Sequence, residues 1–162
     1  MRLRNIKKIP LEIASLIGSN KKICSLIYND DSNALENNSE VTFSDLIKEG
    51  YINLFFPTEN GIKNIAKNTF LSIGIEDIYV ESLSVTGVIY VVSNENTITL
   101  DGNKNRLLEL VDEIESSING QKISVTGEIR VLSISSVVFS DFRSGYRISF
   151  KCFDQQNRKA EL

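Results

Sequence analysis

A chain of 162 residues with 41% hydrophobic and 24% charged side chains is long enough for one domain with a self-sufficient core, burying roughly two-thirds of the surface its unfolded form exposes. Its formal net charge of −3 counts against nonspecific nucleic-acid binding, because a polyanion is held by Lys and Arg. The absence of histidine excludes Ser-His-Asp and Cys-His nucleophilic systems, imidazole bases and His-ligated metals together.

Two cysteines, Cys24 and Cys152, are too few for a disulfide framework or a zinc site, and read as buried thiols. The N-terminus is basic, but Pro10 and Glu12 interrupt the apolar stretch that follows it. No small-residue cleavage site follows, and no run approaches the roughly 18 apolar residues of a membrane span. The expectation is a cytoplasmic protein. The richness in Lys, Asn and Ile suits AT-rich codons, hence a gene from a bacterium or a mobile element.

In chain order, Ile9, Leu11 and Ile13 alternate with Pro10 and Glu12. The spacing predicts a hairpin, 9–17 and 22–28, around Gly18-Ser19-Asn20-Lys21. A helix opening at Pro10 is the competing reading. The Asn-rich stretch 29–40 reads as a loop. Thr42, with Asp45 three places on, caps a short helix that stops at Gly50, and 51–56 is an apolar strand closed by Pro57. Residues 58–74 are expected to form a second helix capped by Thr58, with Ile62, Ile65, Ala66 and Thr69 on one face and Gly74 at its end. Asn60, Asn64 and Asn68 would line another, solvated face.

From residue 75 the pattern changes to period two. A ten-residue phrase, Ser84-Val85-Thr86-Gly87-Val88-Ile89-Tyr90-Val91-Val92-Ser93, returns as Ser124-Val125-Thr126-Gly127-Glu128-Ile129-Arg130-Val131-Leu132-Ser133. Both read as strands that bend at equivalent glycines. The first is expected to be covered on both faces and the second, with Glu128 and Arg130, on one. Asn94-Glu95-Asn96 reads as a turn into a strand over 97–100. Between the copies, Leu107, Val111, Ile114 and Ile118 form one stripe of a helix over 104–118. A hairpin of 137–142 and 146–153 turns around Arg143-Ser144-Gly145, and 154–162 is a polar tail. The fold class is therefore α+β: a curved, mainly antiparallel sheet, open to closing as a barrel, with two or three helices packed on it.

No phosphate-loop glycine motif is present. Asp30, Asp31 and Glu36 form the densest acidic loop cluster, without the glycine that a calcium loop needs. On helix 104–118, Glu109, Asp112 and Glu113 sit opposite the apolar stripe, as an ordinary charged face or as a docking face for a basic partner. Arg147 and Lys151 alternate with Tyr146, Ile148, Phe150 and Cys152, and with Arg130 and Arg143 they could form a small nucleic-acid patch. The aromatics, however, are placed on the opposite, inward face, away from any stacking role.

In general character only (small, acidic, without catalytic machinery) the chain is similar to bacterial immunity proteins. The resemblance implies a non-enzymatic antitoxin that binds and neutralises a toxin, such as a basic nuclease domain, without cofactor or metal. Its docking surface would be Glu109, Asp112, Glu113 and the loop acids Asp30, Asp31 and Glu36. The alternatives are a β-barrel nucleic-acid module using Arg130, Arg143, Arg147 and Lys151, and, third, a carboxylate- and metal-dependent enzyme.

Overall fold

The computed structural model describes residues 3–36, 40–54, 61, 62, 64–82, 84–124, 127–140 and 142–153. The start of the chain is helical, with a 3-10 turn Leu3–Lys8 leading into α1 (Ile9–Gly18), followed by α2 (Lys21–Tyr28). The predicted hairpin is thus replaced by two helices. Ile9, Ile13 and Ile17 recur every four residues and are buried, whereas Leu11, which suggested alternation, is 46% exposed. Pro10 falls in the first turn, where its missing N–H leaves no hydrogen bond unmade. Asn20 is a helix cap: its side chain accepts from the backbone N–H groups of Lys22 and Ile23.

Thr42 and Asp45 form the expected reciprocal capping box of α3 (Phe43–Lys48), and Gly50 beyond it takes φ 81°. The strand expected over 51–56 survives as β1 (Ile52–Asn53); residues 55–57 lie outside the described residues. The helix expected over 58–74 is corrected more heavily. Thr58 and Asn60 lie outside the described residues, and from Thr69 to Tyr79 the chain is strand β2. Thr69 through Gly74 are all buried, so both faces of this strand are covered and no period survives to betray it. Gly74 stops nothing; it pairs with Val88 in mid-sheet.

After β3 (Ser84–Asn94) the expected turn is the short helix α4 (Glu95–Ile98), and the strand that follows is β4 (Thr99–Leu100), paired with β5 (Lys104–Asn105). Helix α5 (Arg106–Ile118) buries Leu107, Leu110, Val111, Ile114 and Ile118, and Asn105 caps it. Then come β6 (Lys122–Ile123), β7 (Gly127–Ser140) and β8 (Arg143–Phe153). The last hairpin turns two residues earlier than predicted, since Ser140 pairs with Arg143. Residues 154–162 lie outside the described residues.

The sheet order is β1-β2-β3-β8-β7-β6, antiparallel except for β1 with β2. Bulges at Ile75/Asp77, Val131/Ser133 and Val138/Ser140 increase its curl. One face, including Val85, Ile89, Val91, Ile129, Ile148, Phe150 and Cys152, packs against apolar residues of α1, α2, α3 and α5 in one core. The architecture is α+β with a curved sheet. Its helical layer is larger than expected because residues 3–28 are helical rather than extended. Cys24 and Cys152 are both buried, and neither is in a disulfide.

The repeated phrase flanks β8 on both sides. Val85 on β3 and Ile129 on β7, 44 residues apart, both pair with Cys152, so the copies are offset by four residues from their sequence spacing of 40. Their glycines also differ. Gly87 leaves room for the Phe150 ring and the Gly74 carbonyl, either of which a Cβ would meet within 2.6 Å. Gly127 instead supplies a left-handed φ of 91° at the start of β7. The strands therefore share a partner and not an equivalent bend.

Candidate functional site

The acidic helix face divides in two. α2 and α5 pack antiparallel, and Lys22 reaches both Glu109 (3.0 Å) and Glu113 (2.8 Å). Asn20 Nδ2 donates to Glu113 as well, at 2.9 Å. These two carboxylates thus form an interhelical clamp, while Asp112 stays exposed on the outer side. Hydrogen bonds from Lys22 and Asn20 hold the Glu113 carboxyl below its usual range, and Glu113 and then Glu109 raise the Lys22 ammonium above its own.

Because Glu113 titrates lower in the folded state, its contribution is present above about pH 5 and is lost as pH falls through the lowered value. Lys22 titrates higher, so its contribution holds up to about pH 10 and is lost as pH rises through the raised value. The stability gap between the wild type and Glu113→Gln should therefore be flat between those limits and narrow at both ends. Thermal melts across pH check this, and a pH-independent gap would show that the clamp is not ionic. The pair is partly exposed, so the gap should not exceed about 1 kcal/mol.

The side chains of Asp30, Asp31 and Glu36 are exposed. Asp30 accepts from Asn68 Nδ2 at 2.6 Å, and Asn68 in turn accepts from Asn94, so this part of the asparagine stripe is structural. What holds the loop is a basic residue at the start of α5 that the sequence reading did not single out. Arg106 is fully buried. It donates to the backbone carbonyls of Thr97 (2.6 Å), Leu26 (2.5 Å), Asn29 (2.5 Å) and Asp31 (2.7 Å). Burial pushes its guanidinium pKa down, and the charges of Asp30 and Asp31 push it back up.

The four basic residues of the alternative patch are all on or beside the face away from the helices, but they are not free. Tyr79, Ser84, Phe153 and Glu128 form one row across β2, β3, β8 and β7; Asp77, Thr86, Lys151 and Arg130 form the next. Arg130 pairs with Glu128 at 3.0 Å, and Arg147 with Glu76. Arg143 lies at the far end of β8 and donates to Asn94 Oδ1 (2.9 Å) and the carbonyls of Ile62 (2.6 Å) and Ile65 (2.7 Å). Lys151 sits 4.9 Å from the Phe153 ring centroid and 5.5 Å from that of Tyr79. Tyr79 and Phe153 therefore share the cationic face, while Tyr146 and Phe150, which the alternation placed inward, do pack into the core on the helix side. Glu128 and Glu76 nevertheless neutralise two of the four cations, which weakens any hold on a phosphate backbone.

The most unusual surface lies at the sheet edge. β6 pairs with β7 only at Gly127 and Glu128. The turn after α5 then meets Ile129 and Val131. From Leu132 onward no strand among the described residues covers the free side of β7. Along it and in the following turn, Leu132 is 56% exposed, Ile134 41%, Val138 78% and Phe142 72%. Residues 131–140 contain no charged side chain. Edge strands of monomers are ordinarily protected by charge, proline, bulges or brevity. This one is bulged at Val131/Ser133 and Val138/Ser140, but it is long and neutral and exposes apolar side chains between and beside those bulges.

Among the described residues no three His, Cys, Asp or Glu side chains are grouped to hold a metal ion, and no helix is long and apolar enough to cross a membrane. The family model YomW matches residues 20–152, a span that includes the clamp, Arg106 and the whole of β7. No curated protein and no solved structure is matched.

Proposed function

The chain belongs to the YomW family, and we propose that it is a non-enzymatic interaction protein whose sheet is completed by another polypeptide along β7. The neutral, exposed β7 edge carries this reading. An unpaired strand offers a row of backbone donors and acceptors, and Ile134 and Val138 offer apolar side chains beside them. Tagged protein should retain a stoichiometric partner on affinity capture from the source cell. Ile134→Lys with Val138→Lys should lose that partner while keeping the far-UV circular dichroism of the folded chain. Retention by the double variant would remove β7 as the interface.

In its narrower form the proposal is an immunity or antitoxin protein acting in the cytoplasm on a basic toxin domain. Exposed carboxylates at Asp30, Asp31, Glu36 and Asp112, on a chain of net charge −3, support it. Glu109 and Glu113 contribute less to such a surface, being engaged by Lys22. Reversing Asp31, Glu36 and Asp112 together should slow association with such a domain, and unchanged on-rates would exclude it.

A further inference from the structure

Resting on that reading of β7, we infer that the polypeptide on this edge is a second copy of the same chain, its β7 running antiparallel to the first about a two-fold axis at Ser136. A two-fold interface requires a surface that complements itself, and this strand does. With Ser136 opposite Ser136, Ile134 of each copy meets Val138 of the other. Both lie on the helix-side face, in register with Ile148 and Ser144 of β8. Moving the axis to Ser135 would set Ile134 against Ser136 and leave Val138 opposite Leu132 in the bulge, and moving it to Val137 would set Val138 against Ser136. Side-chain alternation then keeps every residue on its proper face across the seam.

Charge points the same way. A chain that is 24% charged carries nothing charged over 131–140. Two copies of an acidic protein can therefore meet here without placing like charges opposite one another. A basic partner would find no acid on this strand to recognise, so the toxin-type partner belongs to the acidic surface and the second copy to β7. The result is one continuous sheet built from two six-stranded ones, with both helical layers on the same side.

The test uses the purified full chain alone. Sedimentation or light scattering should give twice 18.2 kDa. Ile134→Lys with Val138→Lys should give the monomer mass with the far-UV circular dichroism of the folded chain and a melting temperature that no longer depends on protein concentration. Ser136→Cys should form an intermolecular disulfide under mild oxidation. Antiparallel partners have Cα atoms about 4.5–5.5 Å apart, within disulfide reach, and the two native thiols are buried. Ser116→Cys on the exposed side of α5 should not cross-link under the same conditions.

A monomer at all concentrations, with no preferential cross-link at Ser136, overturns the second copy. If capture from the cell still depends on Ile134 and Val138 in that case, a different protein occupies β7 and the interface reading stands. If capture is indifferent to them, both fall.

Discussion

Replacing Arg106 with methionine is expected to cost about 3–5 kcal/mol of folding free energy, a large part of the roughly 5–15 kcal/mol by which a domain is stable. The guanidinium binds three separate pieces of chain: the end of α2 through Leu26 and Asn29, the loop through Asp31, and α4 through Thr97. Methionine would fill the volume and leave those carbonyls without their donor, at about 1–3 kcal/mol for each group left buried and unpaired. It would also remove a cation from the C-terminal end of α2, where the helix dipole favours one. Arg106→Lys should recover little, because three donors on one ammonium cannot reach carbonyls spread around a planar fork. Denaturant unfolding of the three proteins tests this. Lys104→Met, at an exposed position two residues earlier, serves as a control expected to lie within about 0.5 kcal/mol of wild type. An Arg106→Met protein as stable as that control would show that the cage is dispensable.

Gly145→Ala is expected to cost about 3 kcal/mol or more. A Cβ there would lie 2.1 Å from the Val91 carbonyl oxygen and 3.2 Å from Val92 Cα. These are backbone atoms of the central strand β3, paired with β8 at Val91–Tyr146 and Val92–Gly145. Relief would require parting the two strands where the sheet is most continuous. Gly120→Ala makes the instructive comparison. Its Cβ would meet nothing within 4 Å, and only its φ of 76° is unfavourable, at about 1–2 kcal/mol. Chemical denaturation should rank Gly145→Ala well below Gly120→Ala in stability. The reverse order would mean that β3 and β8 yield more easily than a packed sheet should.

Where the sequence reading succeeded, the decisive signal was local. Thr42 with Asp45, the Leu107–Val111–Ile114–Ile118 stripe and the period-two strands each announce themselves within a few residues. It failed where local signals conflict or vanish. Ile9, Leu11 and Ile13 satisfy alternation as well as Ile9, Ile13 and Ile17 satisfy a helical face, and packing against the core decided for the helix. The stretch 69–74 was hidden because a length of strand buried on both faces shows no period, while Ile62, Ile65 and Ala66 just before it imitate a helical one.

The same division runs through the candidate site. Glu109, Asp112 and Glu113 are recognisable as an acidic face from their spacing. That two of them hold Lys22, 91 residues away from Glu113 in sequence, depends on α2 lying against α5. Arg106 looks like any helix-leading cation until Leu26, 80 residues distant, is brought to it. By itself the sequence determined the α+β class, the Thr42 cap, the core of α5 and the neutrality of 131–140, because each is written in composition or in short-range spacing. Only the tertiary structure decided that this neutral run lies at an edge and not in the middle of the sheet. Strand order is set by which distant segments pair, and a strand carries the same residues whether one side of it is covered or both.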